Sequence, residues 1–146
     1  MLSDDNLLEI FNFGENKIPV NSSGFWNLTA MCKPFNTRPR EFLKTNEGKK
    51  SVWALNVWLY HKEKGISIHL DKIEQREDIP FDGLERVLIV KKGGNTEGMG
   101  TYGHTLLALR IASWLDPFFS IWVYSIVDKL IARGSVNLKE ELKEAQ

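Results

Sequence analysis

"VKKGGNTEGMGTYGHTLLALRIASWLDPFF", Val90 to Phe119, decides the fold. Two lysines meet two glycines, a polar stretch with further glycines follows, and a long apolar run closes it. A phosphate-cradling loop needs Gly-x4-Gly-Lys-Ser/Thr between strand and helix. Here Lys91 and Lys92 precede the glycines, and no Gly-Lys-Ser/Thr follows. A dinucleotide fingerprint needs Gly-x-Gly-x-x-Gly running straight into a helix. Gly93, Gly94, Gly98 and Gly100 lack that spacing. A hairpin fits instead: "RVLIVKK" enters as a strand, the glycines tolerate positive φ in the turn, and "MGTYGH" returns.

Downstream of the hairpin the pattern becomes helical. "TLLALRIASWL" places Leu107, Ile111, Trp114 and Leu115 on one face. Asp116-Pro117 ends that helix and starts the next, as an N-cap followed by proline at the first helical position. In "PFFSIWVYSIVDKLIAR", Phe119, Trp122, Ile126 and Leu130 recur at helical spacing. Lys129 and Arg133 suit the C-terminal end of its dipole, and Gly134 closes it. By periodicity Trp114, Phe118, Phe119 and Trp122 are expected in the core rather than on a base-stacking platform.

Upstream, "LLEIFNF" and "KIPV" read as strands around a Gly14-Glu15-Asn16 turn, and "FWNL" as a third. Asn27 or Thr29 can cap a short helix at "TAMCK", which Pro34 stops. Asn36 or Thr37 ahead of Pro39 signals a second short helix, "REFLKT", with a break near Asn46-Glu47-Gly48. "SVWALNVWLYHKEKG" is a longer helix, with Val52, Leu55 and Leu59 on its apolar stripe and Gly65 as its stop. Trp26, Trp53 and Trp58 are read as core. Residues 66–82 are expected to be short strand and loop. The whole is one α+β domain over residues 7–134 with a polar tail, 135–146.

Composition narrows the function classes. A chain of 146 residues can bury one real core. Asp4 and Asp5 stand where a signal peptide would be basic, and the apolar run Pro117 to Ile126 is too short to span a bilayer. With Cys32 the single cysteine, no internal disulfide forms, so a soluble cytoplasmic protein with no membrane partner is expected. In its Ala30-Met31-Cys32 context the thiol reads as a small buried hydrophobe. Nineteen basic residues balance nineteen acidic ones, yet they are segregated. Residues 33–50 hold Lys33, Arg38, Arg40, Lys44, Lys49 and Lys50 against Glu41 and Glu47.

Catalytic chemistry is poorly represented. His61 and His69 have no partner at metal-ligand spacing, and His104 is expected to bond backbone at a helix start. Asp71, Glu74, Glu77 and Asp78 are interleaved by Lys72 and Arg76, which reads as charged surface. No nucleophile–base pair is evident, so neither catalysis, cofactor nor metal is expected.

Four motifs carry a resemblance. They are Phe25-Trp26-Asn27-Leu28-Thr29-Ala30-Met31, Arg38-Pro39-Arg40-Glu41-Phe42-Leu43-Lys44, the Gly93-Gly94 and Gly100-Thr101-Tyr102 hairpin, and the block from His104 through Trp122-Val123. Together, over roughly residues 11 to 131, they resemble the KilA-N domain of phages, large DNA viruses and bacteria, a relative of the fungal APSES DNA-binding domain. The departures are His104-Thr105, where that family has His-Pro, and Glu97, an acid at the hairpin tip. The resemblance implies a small antiparallel sheet, a helix-turn-helix-like element, a β-hairpin wing and a C-terminal helical pair. It implies a non-catalytic double-stranded DNA-binding protein of phage or prophage regulatory type, nucleoid-associated in a bacterium or in the host cytoplasm or nucleus if viral. The contacts expected with it are Lys33 and Thr37 ahead of the basic helix, Arg38, Arg40 and Lys44 on it, and Lys91, Lys92, Asn95, Thr96 and Thr101 on the wing.

Arg38 and Arg40, at a helix start, could bond base edges, while Thr37 and Asn36 either bond phosphate or cap the helix. The alternative is a protein-interaction or homodimerisation module without DNA binding, because the helices of residues 104–133 are heavily apolar.

Overall fold

The computed structural model describes residues 8–67, 83–92 and 98–133. They form a five-stranded antiparallel sheet with five α-helices, the α+β class expected. Strands β1 (Leu8–Phe13), β2 (Asn16–Asn21) and β3 (Phe25–Asn27) run consecutively. Helices α1 (Leu28–Cys32), α2 (Pro39–Leu43) and α3 (Asn46–Lys64) follow, and β4 (Leu88–Lys91) and β5 (Gly100–His104) return to the sheet. Helices α4 (Thr105–Leu115) and α5 (Pro117–Ala132) complete the chain.

Strand order is β1-β2-β3-β5-β4. The hairpin of β4 and β5 therefore joins the N-terminal meander through β3, with Trp26 opposite Gly103 and Asn27 opposite Tyr102. Within the hairpin Lys91 pairs with Gly100 and Val90 with Thr101. The hairpin reading holds, and its tip, with Asn95, Thr96 and Glu97, lies outside the described residues. Residues 68–82, the segment from 134 onward and Gly134 itself lie outside them too.

The core fills the space between the sheet and α4–α5. Trp26, Leu28, Met31, Leu107, Ile111 and Phe119 are fully buried. Phe13, Phe35, Phe119 and Trp122 interlock there, with Phe13 edge-on to Phe119 at 4.9 Å and Phe35 edge-on to Phe119 at 5.1 Å. Burying a phenylalanine of this kind stabilises the fold by about 1.5–3 kcal/mol. Asp116 separates the last two helices and caps the second: its Oδ2 accepts from Phe119 N at 2.8 Å, with Pro117 in the first turn. His104 Nδ1 accepts from Leu106 N at 3.0 Å, capping α4 as expected.

Three expectations need correction. Trp114 is 40 % exposed and Phe118 73 % exposed, so only Phe119 and Trp122 of that quartet face inward. At two consecutive phenylalanines, one necessarily points away from the buried face of a helix. Neither Asn36 nor Thr37 caps α2. The N-cap is Arg38, with no side-chain bond, while Asn36 takes a left-handed conformation (φ 55°) that ends a single 3-10 turn over Lys33–Phe35. α1 itself stops at Cys32, ahead of Pro34 as expected, and that turn carries the chain on to Phe35. Finally, α3 begins at Asn46, not Ser51, because Thr45 Oγ1 accepts from Gly48 N at 2.9 Å. Gly48 lets the end of α2 lie against this first turn; a Cβ there would meet Phe42 O at 1.9 Å.

Candidate nucleic-acid interface

Chain geometry places the cations of residues 33–44 on one surface. The left-handed Asn36 turns the backbone sharply between the 3-10 turn and α2. Pro39 then fixes the first turn of α2, leaving Arg38 and Arg40 exposed on either side of a buried ring. Two adjoining hollows result, each of about 510 Å³. One is lined by Thr29, Arg38, Pro39, Arg40, Leu43, Lys44 and Thr101, the other by Lys33, Asn36, Thr37, Arg38 and Glu41. Arg38 belongs to both.

The structure thus brings together Lys33, Thr37, Arg38, Arg40, Lys44 and Thr101. Lys91 and Lys92 do not line either hollow; they stand at the end of β4, across the hairpin from Gly100. Asn95 and Thr96 lie outside the described residues.

Electrostatically the site is four cations against one carboxylate. Lys44 Nζ pairs with Glu41 Oε2 at 2.7 Å. The hydrogen bond from Lys44, and then its charge, holds the Glu41 carboxyl below the usual range, with the charges of Arg40 and Arg38 adding to the effect. Lys44 is therefore half-committed to an internal partner, although the pair is solvent-exposed and weak.

What holds the hairpin against this surface is a pair of residues at the start of α1. Asn27, 2 % exposed, accepts from Ala30 N through Oδ1 at 3.0 Å and donates Nδ2–H to Met99 O at 2.9 Å. It is the helix cap and the hairpin anchor at once. Two residues on, Thr29 Oγ1 accepts from Thr101 N at 3.1 Å. Gly100 fits between them at φ +138°, where a Cβ would approach Asn27 Oδ1 to 2.7 Å. Of the two cap candidates Asn27 and Thr29, the cap is Asn27, and Thr29 is a wall of the hollow. A polar side chain beside a capped helix gives no local sign of a partner 72 residues away.

Among the described residues no cluster of three metal-ligating side chains occurs, and no helix is long and apolar enough to cross a membrane. Cys32 is buried, and desolvation pushes its thiol up to about 12.

A small antiparallel sheet, a short helix followed by a long one, and a hairpin tied beside them define a helix-turn-helix-like domain with a β-wing. The chain belongs to the KilA-N domain family, whose family model matches residues 11–133. That family is generally DNA-binding and generally non-enzymatic. The chain is 28 % identical over 131 residues to KilA-N domain-containing protein L4 of Acanthamoeba polyphaga mimivirus, covering 89 % of this chain and 24 % of L4. It is 29 % identical over 105 residues to KilA-N domain-containing protein R878 of the same virus, covering 70 % of this chain and 24 % of R878. The chain spans about a quarter of the length of these curated relatives. No solved structure matches it significantly.

Proposed function

We propose that residues 7–134 form a non-catalytic double-stranded DNA-binding domain of a phage- or virus-type regulatory protein, with residues 135–146 a tail outside the binding unit. The duplex would lie across α2 and the β4–β5 wing. The observation that carries this reading is the position of Arg38, shared by two hollows that also expose Lys33, Arg40, Lys44 and, from the wing, Thr101. Neutrality of the whole chain does not oppose it, because phosphates respond to local potential and the cations here are concentrated.

In this reading Lys33, Thr37 and Lys44 hold phosphates, which sets affinity and register without reading sequence. Arg38 and Arg40 reach base edges, where a bidentate arginine–guanine pair discriminates by ~1–3 kcal/mol. Lys91, Lys92, Asn95, Thr96 and Thr101 supply the wing contacts. The protein acts where such DNA is found, in the cytoplasm or in the nucleus of a host.

Fluorescence anisotropy of a labelled random duplex at two salt concentrations, with the Arg38→Ala/Arg40→Ala variant alongside, tests this. Binding that weakens steeply with salt and collapses in the double variant is expected. A folded wild-type protein that binds no duplex at low salt would overturn it.

A further inference from the structure

Leu43 is a wall of two hollows. On one side lies the cationic hollow of Arg38, Arg40 and Lys44. On the other lies a third, also of about 510 Å³, formed by Leu43, Lys49, Lys50, Val52, Trp53 and Leu88. Residues 49, 50 and 53 share one side of α3, since positions three and four apart are neighbours on a helix. Lys49 and Lys50 are exposed, and the four apolar residues form a half-buried floor. Leu88 comes from β4. Thr101, a wall of the Arg38 hollow, lies opposite Val90, and Val90 and Leu88 alternate onto one face of the strand. Both hollows therefore open between the helices and the same face of the hairpin.

We infer that the DNA backbone continues past Leu43 into this third hollow, where Lys49 and Lys50 hold phosphates flanking the stretch met by Arg38 and Arg40, and the Trp53–Leu88 floor takes deoxyribose. The inference rests on the duplex-binding reading above and lengthens its footprint. Charge supports it. Lys44 is engaged by Glu41 and Arg110 by Glu47, whereas neither Lys49 nor Lys50 has an ion-pair partner among the described residues. No carboxylate lines this hollow. Lys50 also borders the hollow between α3 and α4 that holds Glu47, so Lys49 is the more committed of the two contacts. Two cations above an apolar floor suit a ligand that alternates anionic and C–H surface, as a sugar-phosphate chain does. An acidic peptide would meet the same lysines. Continuity with the Arg38 hollow through Leu43 favours the strand already lying there.

The test uses the full chain and a labelled random duplex of about two helical turns, ~20 bp, in anisotropy titrations over a range of salt. Lys49→Gln/Lys50→Gln should lower affinity roughly tenfold at low salt, and the slope of log affinity against log salt should fall by up to about two, one for each phosphate released. Lys17→Gln/Lys129→Gln removes the same charge from β2 and α5, outside all three hollows, and should change the slope by less than about one. All four side chains are exposed, so neither variant threatens the fold, which circular dichroism checks. Iron-EDTA tethered at Lys49→Cys should cut the duplex backbone, and tethered at Asp128→Cys it should not. Native Cys32 is fully buried and does not take up the label. Equal losses in the two lysine variants, no cutting from position 49, or an unchanged slope in Lys49→Gln/Lys50→Gln while Arg38→Ala/Arg40→Ala still collapses binding would overturn this inference and leave the duplex-binding reading standing. A folded wild type that binds no duplex would overturn both.

Discussion

Asn27 donates to the Met99 carbonyl at 2.9 Å while its own Oδ1 accepts from Ala30 N at 3.0 Å. One amide side chain therefore fixes both the start of α1 and the entry to β5. The two functions are chemically separable, because the cap needs only the acceptor and the anchor only the donor. Asn27→Ala removes both in a buried setting and should cost roughly 2–3 kcal/mol in urea denaturation. Asn27→Asp should keep much of the cap yet set a carboxylate against the Met99 carbonyl. Its signature is selective loss of amide-exchange protection at Thr101. An Asp variant whose Thr101 amide stays as protected as in wild type would show that the anchor is dispensable.

Gly100 makes the second prediction. Its φ of +138° disfavours any side chain, and a Cβ would press on Asn27 Oδ1 at 2.7 Å and Thr29 Oγ1 at 3.1 Å. Gly100→Ala should destabilise the domain by about 1–3 kcal/mol, and duplex affinity should fall beyond what unfolding explains, because the hairpin shifts off α1. Thermal unfolding followed by anisotropy well below the midpoint separates the two effects.

Glu41 is the carboxylate among the cations of the two hollows. Glu41→Gln removes its repulsion toward phosphate and frees Lys44. Non-specific duplex binding should tighten a few-fold, and the slope of log affinity against log salt should steepen by up to about one counterion. Unchanged affinity and slope in a salt titration would place the phosphates away from α2.

The Cys32 thiol yields a pH dependence with a definite sign. Its folded value is pushed up to about 12 by burial, against about 8.5 in an unfolded chain. The unfolded state therefore loses its proton first as pH rises. Stability from this group is complete below about pH 8.5 and falls above it, by up to ~1.4 kcal/mol per pH unit. Urea midpoints for wild type and Cys32→Ala across this range should converge as the solution becomes alkaline. Thiol reagents should label Cys32 only at the rate of unfolding.

Local chemistry made much of this fold legible. Asp116-Pro117, Gly65 and His104 act within a few residues of themselves, and each does what its residue type suggests. The hairpin could be read because its glycines excluded the phosphate loops. The cations of α2 were legible as a charged cluster, and the structure adds that they share hollows with Thr29 and Thr101. Periodicity failed at Phe118 and Trp114, because an apolar residue type does not say which side of an amphipathic stripe it occupies. The Asn27–Met99 bond and the position of Thr29 were not legible at all, since both depend on strand pairing far along the chain.

The strand order carries a consequence for synthesis. β3 pairs with β2 on one side, but its other neighbour is β5, so the loop closed between Asn27 and Met99 spans 72 residues. Closing such a loop demands entropy before any contact rewards it, which makes this pairing a late event in folding. On a ribosome the N-terminal strands and α1 emerge long before their partner. The cationic hollow, which needs Thr101 as a wall, comes into being only after the chain beyond β5 has cleared the exit tunnel. A nascent or prematurely terminated chain would thus carry Arg38 and Arg40 without the hairpin that frames them.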